Sequence, residues 1–302
     1  MNEFMNEIVL QTFNLTKRFK HKVAVDNVDM TLCRGDIYGF IGKNGAGKTT
    51  AMRLILGLAF PDGGDVVFFG GEDKSEARKK IGSLIEAPGL YKNCTAYENM
   101  KRFSILYGGT DEDIKNNLEL VGLSDTGNKK AGQFSLGMKQ RLGIAIALLG
   151  NPEIMILDEP VNGLDPEGIK EIRDCILRLN REKGVTFLIS SHLLDELAKI
   201  VTKYGIINNG RLIEEITAEE LARRCESGLK IVVDDGEKAE EILKSRFPEL
   251  EIKGKGNELI LPNVTENSGK FNALLVKSGV SVEELGILSG GLENYFIERL
   301  GR

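Results

Sequence analysis

Apolar and polar positions change period several times along the chain. Short alternating runs at Ile8–Phe13, Lys22–Val25 and Asp29–Leu32, broken by turn residues, predict an antiparallel β layer near the start. Asp36–Ile41 reads as a buried strand, and apolar residues recur at helical spacing from Thr49 to Leu58. Asp65–Phe69, bracketed by Gly63-Gly64 and Gly70-Gly71, predicts another strand. Residues 96–150 carry a mostly helical period. Ile154–Leu157 and Thr186–Ser190 are short continuous apolar runs of the kind found in a buried parallel sheet. Helical stretches at 167–183 and 193–202 follow them.

The composition shifts near residue 218, which predicts one domain over 1–218 and an accessory domain over 219–302. In the second, strands are expected at Leu229–Asp235, Glu251–Lys255, Glu258–Leu261 and Ser281–Leu288. Helices are expected at Lys238–Phe247, Gly269–Ser278 and, amphipathically, Leu292–Leu300. The order βαββαβ resembles a split βαβ, ferredoxin-like unit.

The 302 residues are 41% hydrophobic and 28% charged, enough for a soluble α/β protein with a substantial core. The net charge of −5 argues against a nucleic-acid-binding surface. Cys33, Cys94, Cys175 and Cys225 are too scattered for a C-x-x-C or zinc spacing, so reduced thiols in a cytosolic setting are expected. With only His21 and His192, a histidine-rich metal site is excluded; His21, in the basic turn Lys17–Lys22, reads as solvated. No run approaches the ~18 apolar residues of a membrane span, and MNEFMNEIVLQ lacks a basic and then apolar leader. The expectation is a cytoplasmic protein whose membrane business goes through a partner.

The chemistry is concentrated first in GKNGAGKTT, residues 42–50, which satisfies G-x-x-x-x-G-K-[ST]. Glycines at 42, 45 and 47 let successive backbone N–H groups wrap a polyphosphate, with Lys43, Asn44, Ala46 and Thr50 completing the loop. Lys48 supplies a point charge for the β- and γ-phosphates, and the Thr49 hydroxyl a ligand for Mg²⁺. The strand before and the helix after give the anion-binding arrangement this loop needs. Second, Ile154–Leu157 delivers Asp158 and Glu159 to a strand end, where an open α/β sheet places its ligand. Asp158 suits the Mg²⁺ shell and Glu159 the polarisation of an attacking water. Third, Ser135 in FSLGMKQR stands at an N-cap position, so its hydroxyl and the Gly137 N–H offer a second phosphate site. Fourth, His192 follows an apolar strand and is placed to meet a γ-phosphate on the same rim as Asp158.

In this order, with the loop Gly163-Leu164-Asp165 between acidic strand and histidine, the chain resembles the ATP-binding subunit of an ABC transporter over roughly residues 5–220. The resemblance implies a P-loop NTPase fold of ABC type, with a parallel sheet core, an antiparallel β layer and a helical subdomain. It also implies ATP and Mg²⁺, and a head-to-tail homodimer in which each ATP touches one subunit's phosphate loop and the other's Ser135–Gly137 motif. Asp165 would join that site, and Phe19 matches the aromatic that stacks on adenine. Two positions depart from the pattern. Glu86 stands where the family usually has Gln, which adds a possible metal ligand, and Leu136 and Met138 replace Gly and Gln. These departures, with Leu292–Phe296, are similar to a branch of bacitracin and lantibiotic self-protection exporters.

The resemblance therefore implies an ATPase, peripheral on the inner face of the cell membrane, that powers export of a peptide antibiotic or another amphipathic compound through a separately encoded permease. Glu86 and the helices at 88–130 would receive the permease. A soluble ABC-type ATPase acting on DNA or the ribosome would carry long coiled coils, zinc modules or two ATPase units, and none is present. A pure nucleotide-binding regulatory module would need neither Glu159 nor His192.

Overall fold

The computed structural model describes residues 7–20, 22–225, 228–262, 264, 267–288 and 292–300. His21 and the first six residues, on which the expectations about a solvated turn and a leader rest, lie outside them. The chain divides into two compact units, Met1–Ala218 and Glu219–Arg302.

The first unit opens with β1 (Ile8–Phe19), β2 (Lys22–Cys33), β3 (Ile37–Ile41), α1 (Lys48–Ile55), β4 (Gly63–Phe68), α2 (Lys74–Lys79) and β5 (Ile81–Leu84). Three helices follow: α3 (Ala96–Tyr107), α4 (Asp111–Leu120) and α5 (Leu136–Ala147). Then come β6 (Ile154–Asp158), α6 (Pro166–Lys183), β7 (Thr186–Ser191), α7 (Leu194–Leu197), β8 (Lys203–Asn208) and β9 (Arg211–Thr217). A six-stranded sheet has the order β5-β6-β7-β3-β8-β9, parallel except for the last pair. A three-stranded antiparallel sheet has the order β2-β1-β4. Between them Phe40, Ile156 and Leu188 of the parallel strands meet Met52 and Ile55 of α1 and Leu10, Met30 and Phe68 of the antiparallel layer. Each such large side chain contributes about 1.5–3 kcal/mol on burial.

Helices α3 and α4 begin with reciprocal capping boxes, Thr95 with Glu98 and Thr110 with Asp113. Each box satisfies two backbone donors, which explains why the helices start where they do. Asp165 caps α6 ahead of Pro166, and Gly184 ends it in the left-handed conformation.

The structure corrects the sequence reading at several elements. β1 and β2 are each 12 residues long, because Asn14 (φ 47°) and Asn27 (φ 50°) form bulges inside the strands rather than turns between them. The helix expected at 193–202 is confined to Leu194–Leu197. The chain leaves it so that the Thr202 N–H can bond to the Ile37 carbonyl and Val201 can pack on Gly39. The hairpin β8–β9 was not expected, yet Asn209 (φ 48°) and Gly210 (φ 83°) carry the Asn-Gly turn signal between its strands. The hairpin is tied to β3: the Tyr38 hydroxyl donates to Glu215 at 2.8 Å, and Lys203 Nζ lies 3.3 Å from the same carboxylate. Burial, with the Glu215 charge behind it, holds the Tyr38 phenol well above its ordinary pKa.

The second unit opens with α8 (Ala218–Arg224), whose first residue closes the first unit. It comprises β10 (Gly228–Val233), α9 (Gly236–Arg246), β11 (Lys253–Lys255), β12 (Glu258–Pro262), α10 (Ser268–Lys277), β13 (Val282–Leu288) and α11 (Leu292–Leu300). Its sheet is antiparallel throughout, in the order β11-β12-β10-β13. Leu229, Ile231, Leu259 and Leu261 pack against Leu243 of α9 and Phe271 and Leu275 of α10. This is the ferredoxin-like arrangement.

All four cysteines are free thiols, and burial pushes that of Cys175 up to about 12, where it is inert. Among the described residues no helix is long and apolar enough to cross a membrane.

Candidate active site

The phosphate loop links the C-terminal end of β3 to the start of α1. It lines a cleft of about 350 Å³ together with Phe19, Lys22, Ala24 and Glu159. Glycine is required at two points by close approach. At Gly47 (φ 112°) a Cβ would lie 2.3 Å from the Ala24 carbonyl oxygen; at Gly42 it would lie 2.4 Å from that of Ile207. The loop is braced from the β8–β9 turn: the Gly210 N–H donates to the Ala46 carbonyl at 2.8 Å, and the Asp26 N–H donates to the Gly210 carbonyl at 2.8 Å. Gly47 caps α1, and no acidic residue in its first turn offsets the positive helix end.

Lys48 is buried, with its ammonium donating to the Gly42 carbonyl at 2.6 Å and lying 3.2 Å from Glu159 Oε1. Glu159 Oε2 is 2.7 Å from His192 Nδ1. One carboxylate thus joins the phosphate-loop lysine to the histidine that follows β7. Beside it, the Thr49 hydroxyl donates to Asp158 Oδ2 at 2.8 Å. Asp158 is buried at the end of β6, and its other oxygen accepts from the Ser190 hydroxyl at 2.5 Å. That hydroxyl also accepts the Glu159 N–H at 2.9 Å. Glu159 itself has φ 49°, a left-handed backbone that non-glycine residues rarely take. Thr49, Asp158, Lys48, Glu159 and His192 are therefore gathered at one place, and Ser190 is the member that the sequence did not reveal.

Phe19 is half-exposed on the rim, with the Lys17 ammonium 5.6 Å above its ring. Ser135, Gly137 and Asp165 do not line this cleft. They form a second locus instead. Ser135 caps α5 by accepting the Met138 N–H, and Asp165 caps α6 by accepting the Gly168 N–H. A Cβ on Gly137 would lie 3.6 Å from the Gly168 Cα, so the two helix starts adjoin. Leu136, at the family's glycine position, is exposed over Gly163. Glu86 (φ 63°) is exposed and paired with Arg53, one helical turn beyond Thr49 on α1. It does not line the cleft. Among the described residues no three His, Cys, Asp or Glu side chains gather as a metal cluster.

The profile of the family described as ABC transporter matches residues 25–162, from β2 through the acidic strand and the turn after Glu159. The chain is also 39% identical over 299 residues to the bacitracin transport ATP-binding protein BcrA of Enterococcus faecalis, covering 98% of this chain and 97% of that one. This chain belongs to the ABC transporter family. As an ABC ATP-binding subunit it is 44% identical over 207 residues to the lantibiotic transport ATP-binding protein SrtF of Streptococcus pyogenes. That match takes in 90% of the relative but 68% of this chain. Its fold is that of solved ABC cassettes. The dimeric post-hydrolysis MJ0796 cassette, bound to ADP and Pi, aligns with a TM-score of 0.61 and 26% identity over 69% of this chain and 98% of that one.

Proposed function

We propose that this subunit hydrolyses ATP to drive export through a permease carried on a separate chain, and that the cargo is a peptide antibiotic or another amphipathic compound. The observation that carries the hydrolytic part is the Glu159 carboxylate set between Lys48 at 3.2 Å and His192 at 2.7 Å, at the mouth of the phosphate loop. The export part is supported by the near full-length likeness to BcrA.

The residues present fit Mg²⁺. Thr49 Oγ1 and Asp158 Oδ2 are hard oxygens 2.8 Å apart, and Mg²⁺ beside phosphates takes only one or two protein ligands. Thr49 and Asp158 would hold the ion, which would supply neutralisation of phosphoryl charge. The loop N–H groups and the start of α1 hold the phosphates, and Lys48 meets the γ-phosphoryl charge. Glu159 takes the proton of the attacking water, and His192 fixes the Glu159 carboxylate and contacts the γ-phosphate. Phe19 stacks on the base. Ser135, Gly137 and Asp165 serve the cleft of a second copy in a head-to-tail dimer, in keeping with their distance from the cleft of their own chain. Exposed Tyr91, Ile105, Leu106 and Tyr107 on and before α3 give the permease an apolar seat on the inner face of the membrane.

Glu159→Gln tests the reading. It replaces the basic carboxylate with a carboxamide of nearly the same volume, so turnover is expected to fall by about 10²–10⁴ while ATP binding is kept. Size exclusion with ATP and Mg²⁺ is expected to show an accumulated dimer. Unchanged phosphate release would sink the assignment. For the cargo, cells carrying the subunit and its permease are compared on bacitracin with cells carrying Glu159→Gln; equal sensitivity removes bacitracin from consideration.

A further inference from the structure

We infer that Ser190 is a positioning residue of the hydrolytic site, through which the two strand-end carboxylates are held in place together. The inference rests on the roles proposed above for Asp158 and Glu159. It starts from sheet register: β6 and β7 are parallel neighbours, and Ser190 is the direct partner of Asp158. Its side chain is fully buried, so its hydroxyl has no recourse to solvent. The single O–H proton goes to Asp158 Oδ1 at 2.5 Å, and a lone pair receives the Glu159 N–H at 2.9 Å.

Two consequences follow. Asp158 has Oδ1 bonded to Ser190 and Oδ2 to Thr49, so the plane of its carboxylate is fixed from both sides. Its metal-facing oxygen cannot rotate away without breaking a bond. Glu159, in turn, departs from β6 with φ 49°, and its N–H bond to Ser190 secures that left-handed step. From that backbone the Glu159 carboxylate reaches both Lys48 and His192. The neighbouring Ser191 does something else, since its hydroxyl bonds locally to the Leu193 backbone. Loss of the Ser190 hydroxyl would strand a carboxylate oxygen and a peptide N–H in a buried place, and both would move toward other partners.

The test must separate positioning from mere structural loss. Thr186, at the opposite end of β7 and equally buried, donates nothing to the site; it accepts the Gly35 N–H. Thr186→Val is therefore the control for losing a buried hydrogen bond on the same strand. Nucleotide affinity is measured by titration calorimetry with Mg·ATP and with ATP plus chelator, beside steady-state kcat and KM. Ser190→Ala is expected to lower kcat about tenfold and to weaken Mg·ATP binding about threefold or more, with metal-free ATP binding kept within about twofold. Ser190→Thr, which keeps the hydroxyl, is expected to recover most of both, and Thr186→Val to leave both unchanged. Should Ser190→Ala fail to fold by circular dichroism, Ser190→Cys, close in volume and a weak donor, is read the same way. Wild-type kcat and Mg·ATP affinity in Ser190→Ala, or equal losses in Thr186→Val, overturn the inference. If that happens while Glu159→Gln is inactive, the site reading survives; if Glu159→Gln turns over normally, the site reading itself fails.

Discussion

In the second unit, buried Leu229, Ile231 and Val233 of β10 alternate with Lys230 and Val232, and Lys230 meets Glu258 and Glu284 on the more exposed face. In the first unit, β6 is buried at all five positions and carries a charge, Asp158, at its last. Among the described residues, every buried polar or charged side chain belongs to the first unit, from Thr12 to Ser191. So does every left-handed non-glycine residue except Asn267. The second unit obeys the simple rules of alternation, and its polar groups stay where water can reach them. The first departs from those rules at the candidate site and also away from it, as at buried Asn99 and left-handed Phe69, and hydrogen bonds such as those of Ser190 offset the departures.

The comparison breaks hardest at the phosphate loop. Gly47→Ala adds a methyl group 2.3 Å from the Ala24 carbonyl at a backbone of φ 112°. Strain of about 1–3 kcal/mol falls on the loop, so ATP affinity is expected to drop by about tenfold to a hundredfold. Fluorescent-nucleotide titration checks it, and a dissociation constant equal to wild type would contradict the placement of the loop against β2.

The second unit sharpens the contrast from the other side. Leu243→Ala opens a fully buried position in its core and is expected to destabilise that unit by about 2–5 kcal/mol. Urea unfolding should then show an earlier transition for this unit, with ATP turnover unaltered. A chain ending at Ala218 should likewise still bind ATP, because residues 219–302 carry no phosphate loop. We propose a role in dimer contact or regulation for them. Loss of binding in a truncated chain that keeps its circular dichroism would contradict this.

The smallest effect is expected at Glu86. We propose that its charge adjusts the metal requirement of the site from the Arg53 side, so Glu86→Gln should shift the Mg²⁺ concentration for half-maximal ATPase activity a few-fold. The exposed pairing with Arg53 limits the size. Superimposable Mg²⁺ titrations would remove Glu86 from the metal environment.

Much of this was legible in the residues. The phosphate loop and the acids of β6 declare themselves because their chemistry is local: a few consecutive residues hold both the conformation and the reactive group. The ferredoxin-like order was legible because alternation in β10 and β12 is clean. Other features depend on long-range pairing. Four-residue β5 is too short to show a period, and Ser190 acquires its role only when β6 and β7 lie in register. The β8–β9 hairpin is a different case. Asn209-Gly210 stated it, but the apolar run through Ile200 and Val201 reads as a continuing helix.

That hairpin has a consequence for synthesis. The phosphate loop emerges early from the ribosome, yet the Gly210 N–H that braces Ala46 belongs to a turn about 160 residues later. At about 5–20 residues per second, the loop waits on the order of ten seconds for its brace. Until then Ala46 lacks its partner and Gly47 has only the β2 side to rest on. The nascent chain thus carries the sequence for gripping ATP well before it can grip, and the whole first unit must be threaded before nucleotide can help to stabilise it.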